Sequence, residues 1–360
     1  MSNIKNQNLF SGLNYSDRRI ENCGRFEVVL PEVFGFCGGV IHALKLLEKT
    51  IVANPGKKLF LLGEIIHNTN VNEYFQLKGV NIIPHKAIEQ VFSIAATDDI
   101  IIIPAFGIRA DLESKIRKHF KTVIDTTCKD VKRVWEFVRE ESSNGATILI
   151  HGHPHHPEVD ATISRAFSDS AVVVMSNLKE AELFLDFFRT RKLLLEMPEE
   201  IHVINGEKFN TKRIALANQT TMLFSETVEI ETLLKKNLEQ FGCTFVACQT
   251  ICKATYNRQK AALKLLEKDH PDIVFVVGGY GSSNTNNLYF LANKMFPTFY
   301  IKDSSSIRAE ELEHYIPLNN KTIFSPLSDL FSSVKKIAIL AGASCPVGIV
   351  NDLVERLKNL

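Results

Sequence analysis

No stretch of this chain approaches the ~18 consecutive apolar residues that a membrane span requires. The opening MSNIKNQNLF also lacks the apolar core of a secretory signal. The expectation is a cytoplasmic protein with no membrane partner. Charge of one sign is missing as well. With 42 Lys and Arg against 41 Asp and Glu, the net charge is +1, so no basic field for nucleic acid is expected. The common nucleotide signatures are incomplete. Gly279-x-Gly281-x-x-Asn284 lacks the third glycine of the dinucleotide fingerprint, and no Gly-Lys-Ser/Thr follows it. NAD and ATP are therefore not indicated. Seven cysteines, an odd number, argue against a disulfide framework. Cys248 and Cys252 come near the paired spacing of a zinc site, but no second pair exists.

What is present is one unit, written many times over 360 residues. A short β-branched strand leads into a loop of glycine or small polar residues, and then into an amphipathic helix. Phe26–Leu30 precedes the loop Gly35-Phe36-Cys37-Gly38-Gly39. Thr122–Asp125 precedes Thr126-Thr127-Cys128, and Thr147–Ile150 precedes His151-Gly152-His153-Pro154-His155-His156-Pro157-Glu158. Later, Arg213–Ala217 precedes Asn218-Gln219-Thr220-Thr221, and Asp272–Val277 precedes Gly278-Gly279-Tyr280-Gly281-Ser282-Ser283-Asn284. Strands alternating with helices imply an α/β fold with largely parallel sheets, in which ligands bind beyond the carboxyl ends of strands. About ten such strands are too many for one small sheet, so two or three similar lobes facing one site are expected. Residues 1–25 read as a tail and 186–212 as an insertion.

The unusual residues fall in those loops. Cys37, Cys128 and Cys252 each open a helix, where the helix terminus favours thiolate. Three lone thiolates suit an iron–sulfur cluster with an open iron; zinc and buried thiols stay open as alternatives. The histidine loop beside Glu158 reads as a polar pocket or anion lining, and Glu158 as a proton relay or a helix N-terminal acid. The loops at Ser282-Ser283-Asn284 and Gly342-Ala343-Ser344 read as anion cradles or plain helix caps. Few Lys or Arg lie in them. A phosphate or diphosphate would be held by neutral donors, histidines and helix dipoles.

In order along the chain, GFCGGV, His67-Asn68, DTTC, HPEV, NQTT, ICKATYNRQ, GSSNTN and AGAS resemble the motifs of the 4-hydroxy-3-methylbut-2-enyl diphosphate reductases, over about residues 27 to 358. The resemblance implies three α/β lobes in a pseudo-threefold cloverleaf around a central [4Fe–4S] cluster. The lobes fall at 26–125 with Cys37, 126–247 with Cys128 and 248–350 with Cys252, followed by a C-terminal helix end at 351–360. It selects Cys252 over Cys248 as the third ligand. It implies reduction of the allylic alcohol diphosphate to isopentenyl and dimethylallyl diphosphate, the last step of the methylerythritol phosphate route. Ferredoxin or flavodoxin is the implied electron donor. By similarity, Glu158 supplies protons and Thr220 helps hold the substrate hydroxyl. His67, His156, Ser282, Ser283, Asn284 and Ser344 hold the diphosphate.

Three departures stand out. Pro104-Ala105-Phe106-Gly107 occupies the place of a His-Gly-Val-Ser motif that carries a diphosphate-binding histidine in many members. A plant and cyanobacterial-like branch shows a similar sequence. Arg109 either compensates for Phe106 or points to solvent. The tail and 186–212 are longer than in compact members. Cys345 reads as a core thiol. The rival readings are another three-cysteine iron–sulfur dehydratase, similar to quinolinate synthase, and a non-catalytic iron–sulfur or zinc sensor.

Overall fold

A computed structural model describes residues 18–190 and 201–360. The fold is α/β, with three sheets. The four-stranded sheet is wholly parallel, in the order Val80–Ile83, Leu59–Leu62, Ile100–Ile103, Thr122–Asp125. Of its two inner strands one is four isoleucines, all buried, as expected where helices cover both faces. The five-stranded sheet runs Thr244–Ala247, Arg213–Asn218, Thr147–His151, Val172–Met175, His202–Ile204, with only the last strand antiparallel. The seven-stranded sheet has four parallel strands at its centre: Phe26–Leu30, Lys336–Ala341, Ile273–Val277 and Thr298–Ile301. Arg19–Cys23 pairs antiparallel on one edge, and the hairpin Glu311–Ile316/Lys321–Pro326 extends the other.

Each sheet thus contains a core of four parallel strands. These cores do not follow contiguous thirds of the chain. The contiguous boundaries place Cys37 with 26–125, whereas its strand, Phe26–Leu30, pairs with Lys336–Ala341. Cys128 follows the last strand of the sheet built from 59–125, and Cys252 follows the last strand of the sheet built from 147–247. Three sheets with one cysteine each are present, but with their cysteines shifted by one sheet relative to the sequence reading. Contact density separates two compact units. One gathers the described chain up to Ile41, Ile66–Lys78 and Lys253–Leu360. The other holds His42–Ile65 and Gly79–Cys252.

Further differences from the sequence pattern are at edges. Part of the expected tail, Arg19–Cys23, is a strand whose residues alternate toward solvent. Part of 186–212 is the edge strand His202–Ile204; residues 191–200 lie outside the described chain. The final helix, Val347–Lys358, buries Val350, Leu353, Val354 and Leu357 in a core cluster with Cys23, Phe26 and Phe331. Among the described residues, no helix is long and apolar enough to cross a membrane.

Candidate functional site

The loops at the strand ends repeat one hydrogen bond in all three sheets. The N–H of Cys37 donates to the carbonyl of Ala343 at 3.2 Å, that of Cys128 to Ala105 at 3.0 Å, and that of Cys252 to Thr220 at 3.0 Å. Each acceptor lies two residues past the end of the strand beside the cysteine's own: Ala341 to Ala343, Ile103 to Ala105, Asn218 to Thr220. Each cysteine follows the outermost of its sheet's four parallel strands. All three thiols are part-exposed at the start of a helix, and the N–H of Val40 points at the Cys37 sulfur at 3.4 Å. Burial pushes the other four up: Cys243 to about 11, Cys345 to about 12, and Cys23 and Cys248 in the same direction. Among the described residues, no three His, Cys, Asp or Glu side chains stand grouped as metal ligands.

The first unit builds an oxyanion cradle from two strand-end loops and the segment at His67. Asn68 caps the helix Thr69–Leu77 through Val71 N–H, and its amide donates to the Ser344 carbonyl at 2.8 Å. The Ser344 hydroxyl donates to the His67 carbonyl at 3.1 Å and lies 3.3 Å from the Ser282 hydroxyl. Ser282 caps the helix Ser283–Asn293. Asn284 is committed at both ends: its oxygen accepts from Ala343 N–H at 2.9 Å and its amide donates to Thr255 at 3.0 Å. Buried Ser283 has a hydroxyl with no partner among the described residues. Gly279 lets the loop lie against the backbone of His67 and Asn68, where any Cβ would run into the His67 carbonyl. A helix N-terminus plus neutral hydroxyls is a site for an oxyanion.

The second unit carries Glu158, Thr220, His156, Cys128 and Cys252. Pro157 starts the short helix Pro157–Ile163, which sets Glu158 in its first turn, 3% exposed. Thr220 donates to the carboxyl twice, from its N–H at 2.6 Å and its hydroxyl at 3.0 Å. Burial raises the Glu158 carboxyl to about 7, against the two Thr220 bonds that lower it; the Asp130 charge adds to the rise. Glu158 N–H donates to His156 Nδ1 at 3.2 Å, which puts the neutral ring's proton on Nε2. Through its carbonyl, Thr220 also holds Cys252. A carboxyl that titrates near neutrality in a dry pocket is suited to donating a proton.

The histidine loop is not one pocket. His151 is fully buried at a strand end, 3.1 Å from Thr227, and burial lowers it to about 4, so it stays neutral. His155 is exposed with left-handed backbone. Arg109 is exposed and pairs with Asp111, so it does not stand in for Phe106. The Phe106 ring instead meets the His156 ring edge-on at 6.1 Å. Two positioning residues escaped the sequence pattern. Fully buried Arg258 donates to the carbonyl of Gly35 in the Cys37 loop, and buried Tyr300 donates to the carbonyl of Gly279 at 2.5 Å. An arginine inside an apolar helix face was the available signal for the first; a strand tyrosine offers none.

Residues 28–358 match the family model described as LytB protein. The chain is 34% identical over 357 residues to the 4-hydroxy-3-methylbut-2-enyl diphosphate reductase of Prochlorococcus marinus subsp. pastoris, covering 93% of this chain and 86% of that protein. A Synechococcus protein of the same name is 34% identical, covering 98% of this chain and 90% of its own. Among solved structures, the E-1-hydroxy-2-methyl-but-2-enyl-4-diphosphate reductase of Plasmodium falciparum shares the fold at a TM-score of 0.70 and 22% identity, covering 91% of this chain and 86% of that one. An (E)-4-hydroxy-3-methyl-but-2-enyl diphosphate reductase, titled the terminal enzyme of the non-mevalonate pathway, superposes at 0.56 with 25% identity, covering 92% and 99%.

The cradle makes a direct prediction. Gly279→Ala drives a methyl into the His67 carbonyl and opens the loop, so calorimetry should find inorganic diphosphate bound at least ~10-fold more weakly. Unchanged affinity would show that the anion sits elsewhere.

Proposed function

The chain belongs to the LytB protein family, and we propose from that premise that it reduces 4-hydroxy-3-methylbut-2-enyl diphosphate to isopentenyl and dimethylallyl diphosphate. Two electrons and two protons enter, the hydroxyl leaves as water, and the step is the last of the methylerythritol phosphate route. The observation that carries this reading is Glu158: a buried carboxyl near its midpoint at neutral pH, tied through one threonine to the backbone of Cys252.

The residues present fit a [4Fe–4S] cluster held by Cys37, Cys128 and Cys252. The support is the chemistry of the donors: three part-exposed thiols at helix starts, each carried by the same backbone bond, with the other four cysteines raised by burial. Such a cluster, when bound, supplies electrons and a Lewis-acidic iron with an open position. All seven cysteines are free, which suits a reducing cytoplasmic setting. A one-electron carrier such as ferredoxin or flavodoxin provides the reducing equivalents.

The side chains divide the remaining work. Ser282, Ser283, Ser344 and His67 grip the diphosphate, and the unpartnered Ser283 hydroxyl gains its acceptor there. Asn284 has one amide N–H beyond its bond to Thr255 and can add it. His156 offers the proton on Nε2 to a diphosphate oxygen, with Phe106 packed against its ring. Glu158 holds the proton that turns hydroxide, a poor leaving group, into water. The Thr220 hydroxyl steadies the carboxylate left behind and orients the substrate oxygen.

Because Glu158 must be protonated to act, turnover should fall as pH rises through about 7. Glu158→Gln should cut kcat by ~10²–10⁴-fold and abolish that limb. The same carboxyl links to stability: with its folded value raised from 4.5 to about 7, it stabilises the fold fully below pH 4.5 and less as pH passes 7. The glutamine variant should lose that slope too. Near wild-type kcat in the variant would remove Glu158 from the reaction. Anaerobically purified protein should hold about four irons per chain. Cys37→Ser, Cys128→Ser or Cys252→Ser should each deplete it, while Cys248→Ser, another part-exposed cysteine, should not; iron loss on Cys248→Ser would reassign the third ligand.

A further inference from the structure

A cavity of about 580 Å³ in the second unit belongs to no part of the site above. It is lined by residues of the helices Ala110–His119 and Lys129–Ser143, with Asp125 and Arg165. Five cations and three acids face it, and two of the acids are already satisfied. Glu113 is held by Arg117 and Arg165, each at 2.8 Å, and Asp125 by Lys132 at 2.7 Å. Lys118 and Arg139 line the cavity too, and neither has an ion pair among the described residues; Glu136 is the one acid left to offset them.

Two deeper donors also lack acceptors. Trp135 and Arg165, 7% and 9% exposed, stack with the guanidinium 3.9 Å from the ring centroid. The indole Nε1–H and the Arg165 Nε–H are buried, and neither meets an acceptor among the described residues. A buried unpaired donor is costly, and the cost is relieved by an acceptor that enters with a ligand. Excess positive charge at the mouth, with the unmet N–H groups of two lining residues buried behind it, points to the complement: an oxyanion.

We propose that this cavity binds a small oxyanion-bearing metabolite, a phosphate ester or a polycarboxylate, at a site distinct from the diphosphate cradle. The volume is that of a small-molecule site. Its wall is not isolated from the chemistry. Trp135 packs with Val131 and Ala161 in a small cluster on which Cys128 rests, and its ring fills the space where Gly107 has no Cβ. An anion on Trp135 therefore bears on the packing behind Cys128.

Trp135 is the only tryptophan of the chain, so its emission reads this cavity. The anaerobically purified full-length protein is titrated at constant ionic strength with inorganic phosphate in one series and citrate in another. A saturable change in emission is expected in at least one, and the responding series tells phosphate from carboxylate recognition. Lys118→Gln with Arg139→Gln, both exposed positions, should raise the midpoint about 10-fold. Ser282→Ala with Ser283→Ala, which strips the cradle, should leave it in place. Absence of saturation with both anions, an unmoved midpoint in the lysine–arginine variant, or loss of the response in the serine variant would each overturn the proposal.

Discussion

One backbone hydrogen bond, made three times, is the constraint on which the site depends. Parallel strands deliver their carboxyl ends to one edge of a sheet, but that alone does not say where a loop residue stops. The bond from each cysteine N–H to the carbonyl two residues past the adjacent strand does. It pins three thiols at equivalent positions on three sheets whose helices and edges otherwise differ. In the second unit the same carbonyl belongs to Thr220, whose remaining polar groups hold Glu158. Cys252 and Glu158 are therefore positioned by one residue.

The electrostatics follow from what has been kept out. The loops at Ser282 and Ser344 offer a helix N-terminus and neutral hydroxyls, and close backbone approach at Gly279 takes the place of side-chain bulk. Glu158 is deprived of water, and so retains a proton at a pH where an exposed glutamate has lost it. Two donors from Thr220 pull the other way, and burial outweighs them. The balance places the carboxyl near neutrality, where it can give and regain a proton. Phe106 fits this scheme as packing for His156, a contact that asks nothing of its lack of charge.

Much of this was legible in the sequence, for a physical reason. Strand-to-helix loops in parallel sheets concentrate glycine, small polar residues and reactive side chains, so the repeating pattern located the loops. The sheets themselves were less legible. Local periodicity places a strand but not its partner, and Phe26–Leu30 joins a sheet that, apart from Arg19–Cys23, is built from strands between Ile273 and Ala341. Edge strands such as Arg19–Cys23 and Lys321–Pro326 carry too little apolar pattern to announce themselves. The histidine loop misled because proximity in sequence says nothing about side-chain direction: His151 turns into the core and His155 to solvent. Arg258 and Tyr300 act on backbone carbonyls, whose positions no residue pattern encodes, although an arginine on an apolar helix face marks the first.

Reductive loss of the hydroxyl from an allylic diphosphate is the central claim. The direct measurement is a single anaerobic reaction of the purified protein with 4-hydroxy-3-methylbut-2-enyl diphosphate and a reduced one-electron donor, with products and electrons counted. The account predicts isopentenyl and dimethylallyl diphosphate, two electrons consumed for each molecule formed, and no reaction without the donor. Iron-loaded protein that binds the diphosphate but returns it unchanged would contradict it.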